Sequence, residues 1–172
     1  MEPRLAIRHL ISKPLMLMQD VEAEIAQSSL EPALLHLVMM RASQINGCAY
    51  CLDMHSKDAR AEGESEHRLY ALDAWDETPF FTDRERAALL WTDAVTRVSE
   101  NHVPDSVYEA VRGAFTDQEL AYLTLAVATI NAWNRLNVAL RTVPGDYRPG
   151  MFRRLREAKP QQGARAAAAS PS

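Results

Sequence analysis

Residues 32–46 run PALLHLVMMRASQIN, and this stretch constrains the fold more than any other. At about 100° per residue, Leu34, Leu35, Leu37, Val38, Met39, Met40, Ala42 and Ile45 cover nearly the whole circumference of a helix. A helix apolar along one stripe can lie at a surface, whereas one apolar on almost every side has to be surrounded. Pro32 suits the first helical position, where its missing N–H is no loss, and Asn46-Gly47 breaks the run. The rest of the chain must supply the partners, and its strong periodic signals are helical too. An amphipathic stretch starts after Pro14 and closes over residues 21–26, and a short helix is expected over 66–74. TDRE at 82–85 reads as a capping box, in which hydroxyl and carboxylate satisfy each other's orphan amides. Ala87, Leu90, Trp91, Ala94 and Val98 then share a face. A short helix follows Pro104 and ends near Gly113, and a second capping box, TDQE at 116–119, opens a long helix to about Leu140. With no alternating strand pattern, the expected class is all-α.

One domain is expected over residues 1–147. From Arg148 the chain turns basic (Arg148, Arg153, Arg154, Arg156, Lys159) and then becomes QQGARAAAASPS, so 148–172 is expected to be a disordered tail. A net charge of -4 gives no reason to expect nucleic acid as a partner. The longest apolar stretch, 120–133, is interrupted by Thr124, Thr129 and Asn131 and falls short of a membrane span. The first twenty residues have no uninterrupted apolar core or cleavage site of a signal peptide, so the expected location is cytoplasmic.

In a reducing compartment, the two cysteines of the 172-residue sequence are better explained by chemistry than by stapling. They form Cys48-Ala-Tyr-Cys51, with His55 four residues on. A helix places Cys48, Cys51, Leu52, His55 and Ala59 within an arc of about 100°, opposite the wettable Asp53, Lys57 and Arg60. The buried face then carries a nucleophile, a resolving thiol and a base. The reactive species is the thiolate, and a helix N-terminus with a nearby imidazole lowers a thiol's pKa from about 8.5 into the range of roughly 3.5–7.5. Attack on a peroxide O–O bond leaves a sulfenic acid, a second thiol condenses with it, and an external dithiol resets the pair.

Other readings stay open at this point. A static disulfide would close a tiny loop, worth at most about 2 kcal/mol in the chain-entropy model. Zinc would find Cys48, Cys51 and His55, with His36 as a fourth ligand. Haem attachment is excluded because Leu52, not histidine, follows Cys51. The redox dithiol is the preferred reading, with no metal and no cofactor assigned, since no nucleotide or flavin motif is present. Arg41 is expected in a structural ion pair, Trp91 and Trp133 in the core, and Asn131, Asn134 and Arg135 in structural or interface roles. Tyr50 either lines an entrance or packs.

The stretch RASQINGCAYCLDMHSKDA at 41–59, INAWNR at 130–135 and Pro144-Gly145 together resemble the alkyl hydroperoxidase D-like branch of the carboxymuconolactone decarboxylase superfamily. The similarity spans roughly residues 14–147. It implies an all-helical bundle, assembled as a trimer or hexamer, that reduces hydroperoxides with electrons from a lipoyl- or thioredoxin-type dithiol. It also implies that Cys51 is the peroxide-reactive thiol, Cys48 the resolver and His55 part of a proton relay. Such proteins place a glutamate twelve residues before the first cysteine, and this chain has His36 there. A carboxylate is a standing base in neutral water, whereas an imidazole is half protonated near pH 6.5, so His36 is carried as the fourth candidate. The rival readings are a redox-sensing or partner-binding module and a decarboxylase of the kind in the superfamily's name. The nearly all-round apolar helix and its Met-rich flanks (Met16, Met18, Met39, Met40) add an expectation of obligate oligomers.

Overall fold

The computed structural model describes residues 2–151, so from residue 152 onward the expected tail lies outside the described residues. The described residues are helical, with no strand among them. In chain order they form α1 (Ile7–Leu10), α2 (Ser12–Ala26), α3 (Pro32–Ile45), α4 (Ala49–Ala61), α5 (Glu66–Ala71) and a 3₁₀ segment (Leu72–Glu77). Then follow α6 (Asp83–Thr96), α7 (Val98–Asn101), α8 (Asp105–Arg112) and α9 (Asp117–Leu140).

α3 is the hub, packed against α4, α6 and α9. It divides the core in two. On one side Leu34, Leu35 and Val38 pack with Trp91, Leu123 and Val127; on the other Leu37 and Met40 pack with Ala59, Leu72, Phe81 and Leu89. Both capping boxes form reciprocally, Thr82 with Glu85 and Thr116 with Glu119, and fix where α6 and α9 start. Arg41 makes the expected ion pair. Its Nε and Nη2 donate to Asp93 at 2.6 and 2.8 Å and its Nη1 to Asp73 at 2.9 Å, tying α3 to α6 and to the 3₁₀ segment. Planar, bidentate geometry of this kind compensates the desolvation of a buried guanidinium.

Several boundaries differ from the sequence reading. α2 begins before Pro14, because proline in a first turn interrupts no intrahelical hydrogen bond. The helix expected over 66–74 gives way after Ala71 to the 3₁₀ segment, where Ala74 is non-helical. α6 ends at Thr96, so Val98 falls beyond it and is exposed, while Ala88, Leu89 and Thr92 join Trp91 and Ala94 on the buried face. The argument for oligomers also changes. α4, α6 and α9 enclose α3 within one protomer, and the large exposed apolar side chains include Leu10, Met16, Leu17 and Val21 near the N-terminus and Leu125 and Val138 on α9. Among the described residues, no helix is long and apolar enough to cross a membrane.

Candidate active site

The turn between α3 and α4 is built to deliver two cysteines. Gly47 takes a φ of +63°, in the left-handed region that glycine enters without steric cost, and the Cys48 amide returns to the Ser43 carbonyl at 3.0 Å. Asn46 holds this turn against α9, donating from Nδ2 to the Asn131 and Asn134 side-chain oxygens, each at 3.0 Å. Asn134 in turn donates to Ser43 Oγ at 3.1 Å, and Asn131 to Thr96 Oγ1 at 3.0 Å. These asparagines are structural in the sense expected. A buried, connected amide network fixes one arrangement, here the position of the turn that presents the thiols.

Cys48 is the N-cap of α4, and its sulfur accepts from the Cys51 amide at 3.4 Å. Cys51 therefore sits in the first turn of α4. The two sulfurs form a disulfide, with Cα atoms 5.3 Å apart. Both residues are buried. Cys51 lines a crevice of about 40 Å³, shared with Tyr50, Met54, Trp133 and Asn137, and Cys48 does not line it. This crevice adjoins a larger, mainly apolar cavity of about 240 Å³ between the N-terminal segment, α2 and α9, and the two share Arg8, Gln19, Trp133 and Asn137. Tyr50 thus takes the entrance reading, with its hydroxyl accepting from Arg8 at 3.4 Å. Trp133 lines both cavities and is not a core residue. Asn137, absent from the sequence-derived set, donates to Cys51 Sγ at 3.5 Å.

His55 lies one turn beyond Cys51 and is buried. Desolvation, with a smaller contribution from the charge of His36, lowers its pKa to about 3, and its Nε2 has no hydrogen-bond partner. His36 comes from α3, and its Nε2 lies 3.0 Å from Glu62 Oε2 at the end of α4, leaving Nδ1 buried and unpartnered. Three of the four sequence candidates therefore lie on α4 or at its N-cap, while His36, from α3, meets the other end of α4 at Glu62 and acts electrostatically on His55. Glu62 was missed, because no spacing rule links positions 36 and 62. The opposite face of α4 is less wettable than expected. Lys57 bridges Asp53 to the Gly145 and Tyr147 carbonyls, and the Tyr147 hydroxyl donates to Asp58 at 2.8 Å. Among the described residues, no three of His, Cys, Asp and Glu converge to hold a metal ion.

The low affinity of His55 for a proton has a measurable consequence. Below about pH 6.5 the unfolded chain takes up a proton that the folded protein refuses until about pH 3, so stability falls as pH drops through that window. The contribution is about 1.4 kcal/mol per pH unit. The stability difference between His55→Leu and the wild type, both oxidised, should shift by about 2 kcal/mol in favour of the variant between pH 6.5 and 5.0 in denaturant titrations. Parallel pH dependences would mean that folded His55 does bind the proton.

Comparison with known proteins follows the same lines. The carboxymuconolactone decarboxylase family matches over residues 16–94, which include both cysteines and both histidines of the site. The uncharacterized protein YdfG of Bacillus subtilis is 37% identical over 140 residues, covering 81% of this chain and 95% of that one. This chain is an AhpD-like member of the carboxymuconolactone decarboxylase family. A protein of unknown function from Agrobacterium tumefaciens, described as a candidate antioxidant defence protein AhpD, has a crystal structure that superposes with a TM-score of 0.81. It is 37% identical, and the match covers 85% of this AhpD-like chain and all of that one. An AhpD-core, peroxidase-related protein from Ralstonia eutropha shares the fold, with a TM-score of 0.72 at 18% identity over 84% of this chain and 77% of that one. Fold and relatives together point to an AhpD-like redox protein that carries a CxxC motif.

Proposed function

We propose that this protein is a cytoplasmic thiol peroxidase that reduces organic hydroperoxides through Cys51 and Cys48, with His55 and His36 moving protons. The observation that carries this is the setting of Cys51: first turn of α4, the cavity-lining cysteine, and one turn from a neutral, buried imidazole. In the reduced protein the Cys51 thiolate attacks the distal oxygen of ROOH. The O–O bond breaks, RO⁻ takes a proton to leave as ROH, and Cys51 becomes the sulfenic acid. The Cys48 thiolate then displaces hydroxide, which leaves as water, and the disulfide seen in the structure is restored. A lipoyl- or thioredoxin-type dithiol returns two electrons by exchange.

His55 suits the proton steps. It is neutral beside the disulfide, and a thiolate formed next to it on reduction favours its protonated form, because an opposite charge stabilises the imidazolium. It can hold the thiol's proton and release it to the alkoxide. The Asn137 amide and the α4 N-terminus add donors to the sulfur. The larger cavity favours an apolar R group, since Leu5, Ile7, Leu15, Leu136 and Val143 line it. Assembly into trimers or hexamers fits the apolar side chains left exposed near the N-terminus and on α9.

Stopped-flow oxidation of the reduced protein tests this reading. Cumene hydroperoxide should consume both thiols at least about tenfold faster than hydrogen peroxide, the difference a well-used apolar contact supplies. Dihydrolipoamide or reduced thioredoxin should restore the thiols. Reaction no faster than that of free cysteine would remove the peroxidase reading, and a preference for hydrogen peroxide would remove the apolar pocket.

A further inference from the structure

Glu62 follows the last residue of α4 and is more than half exposed, yet its carboxylate reaches across to α3 and meets His36 Nε2 at 3.0 Å. A carboxylate can only accept, so the proton of this contact sits on Nε2 of His36. In the neutral ring the lone pair is then on Nδ1, which is buried and has no partner in the protein. His55 Nε2 shares that condition, and the two rings are close enough for the charge of one to act on the other. Buried polar atoms in folded proteins nearly always find partners, and two orphaned imidazole nitrogens in one coupled pair are an exception that packing does not explain. A proton handed between the rings, directly or through one water, does explain them.

We propose that Glu62 is a positioning residue that holds His36 in its Nε2–H tautomer and so turns the basic Nδ1 toward the His55 side of the site. The carboxylate does not touch sulfur or substrate. It sets which nitrogen of His36 is the base and stabilises the ring when the proton arrives, as an orienting carboxylate does behind a general base. The other charged groups on these two helices hydrogen-bond to other partners, although Asp58 also acts on His36 through its charge. Asp58, on the same helix as His55, accepts from the Tyr147 hydroxyl, and Arg41, on the same helix as His36, is held by Asp93 and Asp73.

This inference rests on the peroxidase reading for its rate effect but not for its geometry, so two measurements are needed on the full chain. Imidazole ¹⁵N NMR should show His36 as the Nε2–H tautomer in the wild type and a mixture of tautomers in Glu62→Ala. Oxidation of the reduced proteins by cumene hydroperoxide should slow about tenfold in Glu62→Ala, short of the roughly 10²-fold loss expected for His36→Leu. Glu62→Asp should recover part of the rate, and Glu62→Ala added to His36→Leu should cost nothing more, because both act through one ring. An unchanged tautomer in Glu62→Ala, or a double variant slower than His36→Leu alone, would overturn the proposal. If reduced wild-type protein ignores peroxide altogether, the peroxidase reading falls, and the NMR result alone decides whether Glu62 positions His36.

Discussion

Cys51→Ser should lose peroxide reduction by about 10³-fold or more, the scale expected when a covalent nucleophile is removed, whereas Cys48→Ser should still consume one equivalent and stop. The asymmetry comes from where the sulfurs sit. Cys51 faces the crevice and accepts from Asn137, while Cys48 caps the helix behind it and lines neither cavity. A peroxide reaching the site therefore meets Cys51, and Cys48 is placed to meet the sulfenic acid that forms. Serine at 48 is also a strong N-cap, so that variant keeps the start of α4 and its phenotype reads chemistry and not unfolding. Mass spectrometry after sulfenic-acid trapping is the check: the adduct should lie on Cys51 in Cys48→Ser, with none in Cys51→Ser. An adduct on Cys48 in the Cys51→Ser protein would reverse the assignment. Full activity toward a lactone or carboxylate substrate in Cys51→Ser would move the protein to chemistry that does not use the pair.

The parts of this design that are local in sequence were legible, and the parts made by distant segments were not. An apolar run with Pro32 at its start and Asn46-Gly47 at its end can only be a central helix, and two hydroxyl-to-glutamate capping boxes mark their helix starts without tertiary information. Cys51 and His55 share a face because they lie four residues apart on one helix, and Cys48 caps its start. The single-turn helices α1 and α7 carry too few residues to show a period, so they left no signal. Trp133 was read as core because an indole on an apolar helix usually is. It lines a cavity because the Arg4 amide bonds the Leu140 carbonyl at 2.8 Å and brings the N-terminal segment beside α9. Glu62 and Asn137 were missed for the same reason: their partners, His36 and Cys51, lie 26 and 86 positions away. The oligomer argument misread α3 because periodicity shows how much apolar surface a helix has, not which neighbours already cover it.

His55→Leu should slow the first oxidation of the thiols by about 10²–10⁴-fold, the range for a lost general acid–base group. The expected loss is large because one ring serves two proton steps, taking the thiol's proton and returning it to the alkoxide. Stability is not the confounding factor it would be for a buried charge. His55 is neutral in the oxidised fold and its Nε2 is unpartnered, so leucine removes a polar atom without leaving a new one unsatisfied. The variant should fold at least as well as the wild type, and better at acid pH. Disulfide formation driven by a small external disulfide should slow less, since that exchange needs the thiolate but no proton for a departing alkoxide. The decisive comparison is therefore peroxide against disulfide as oxidant, measured in reduced wild type and in His55→Leu across pH 6–9. A selective loss toward peroxide assigns His55 to the leaving group. An equal loss toward both oxidants assigns it to thiolate formation alone. Wild-type rates toward both would leave Cys51 activated by the α4 N-terminus and the Asn137 amide, with the two imidazoles only packed beside it.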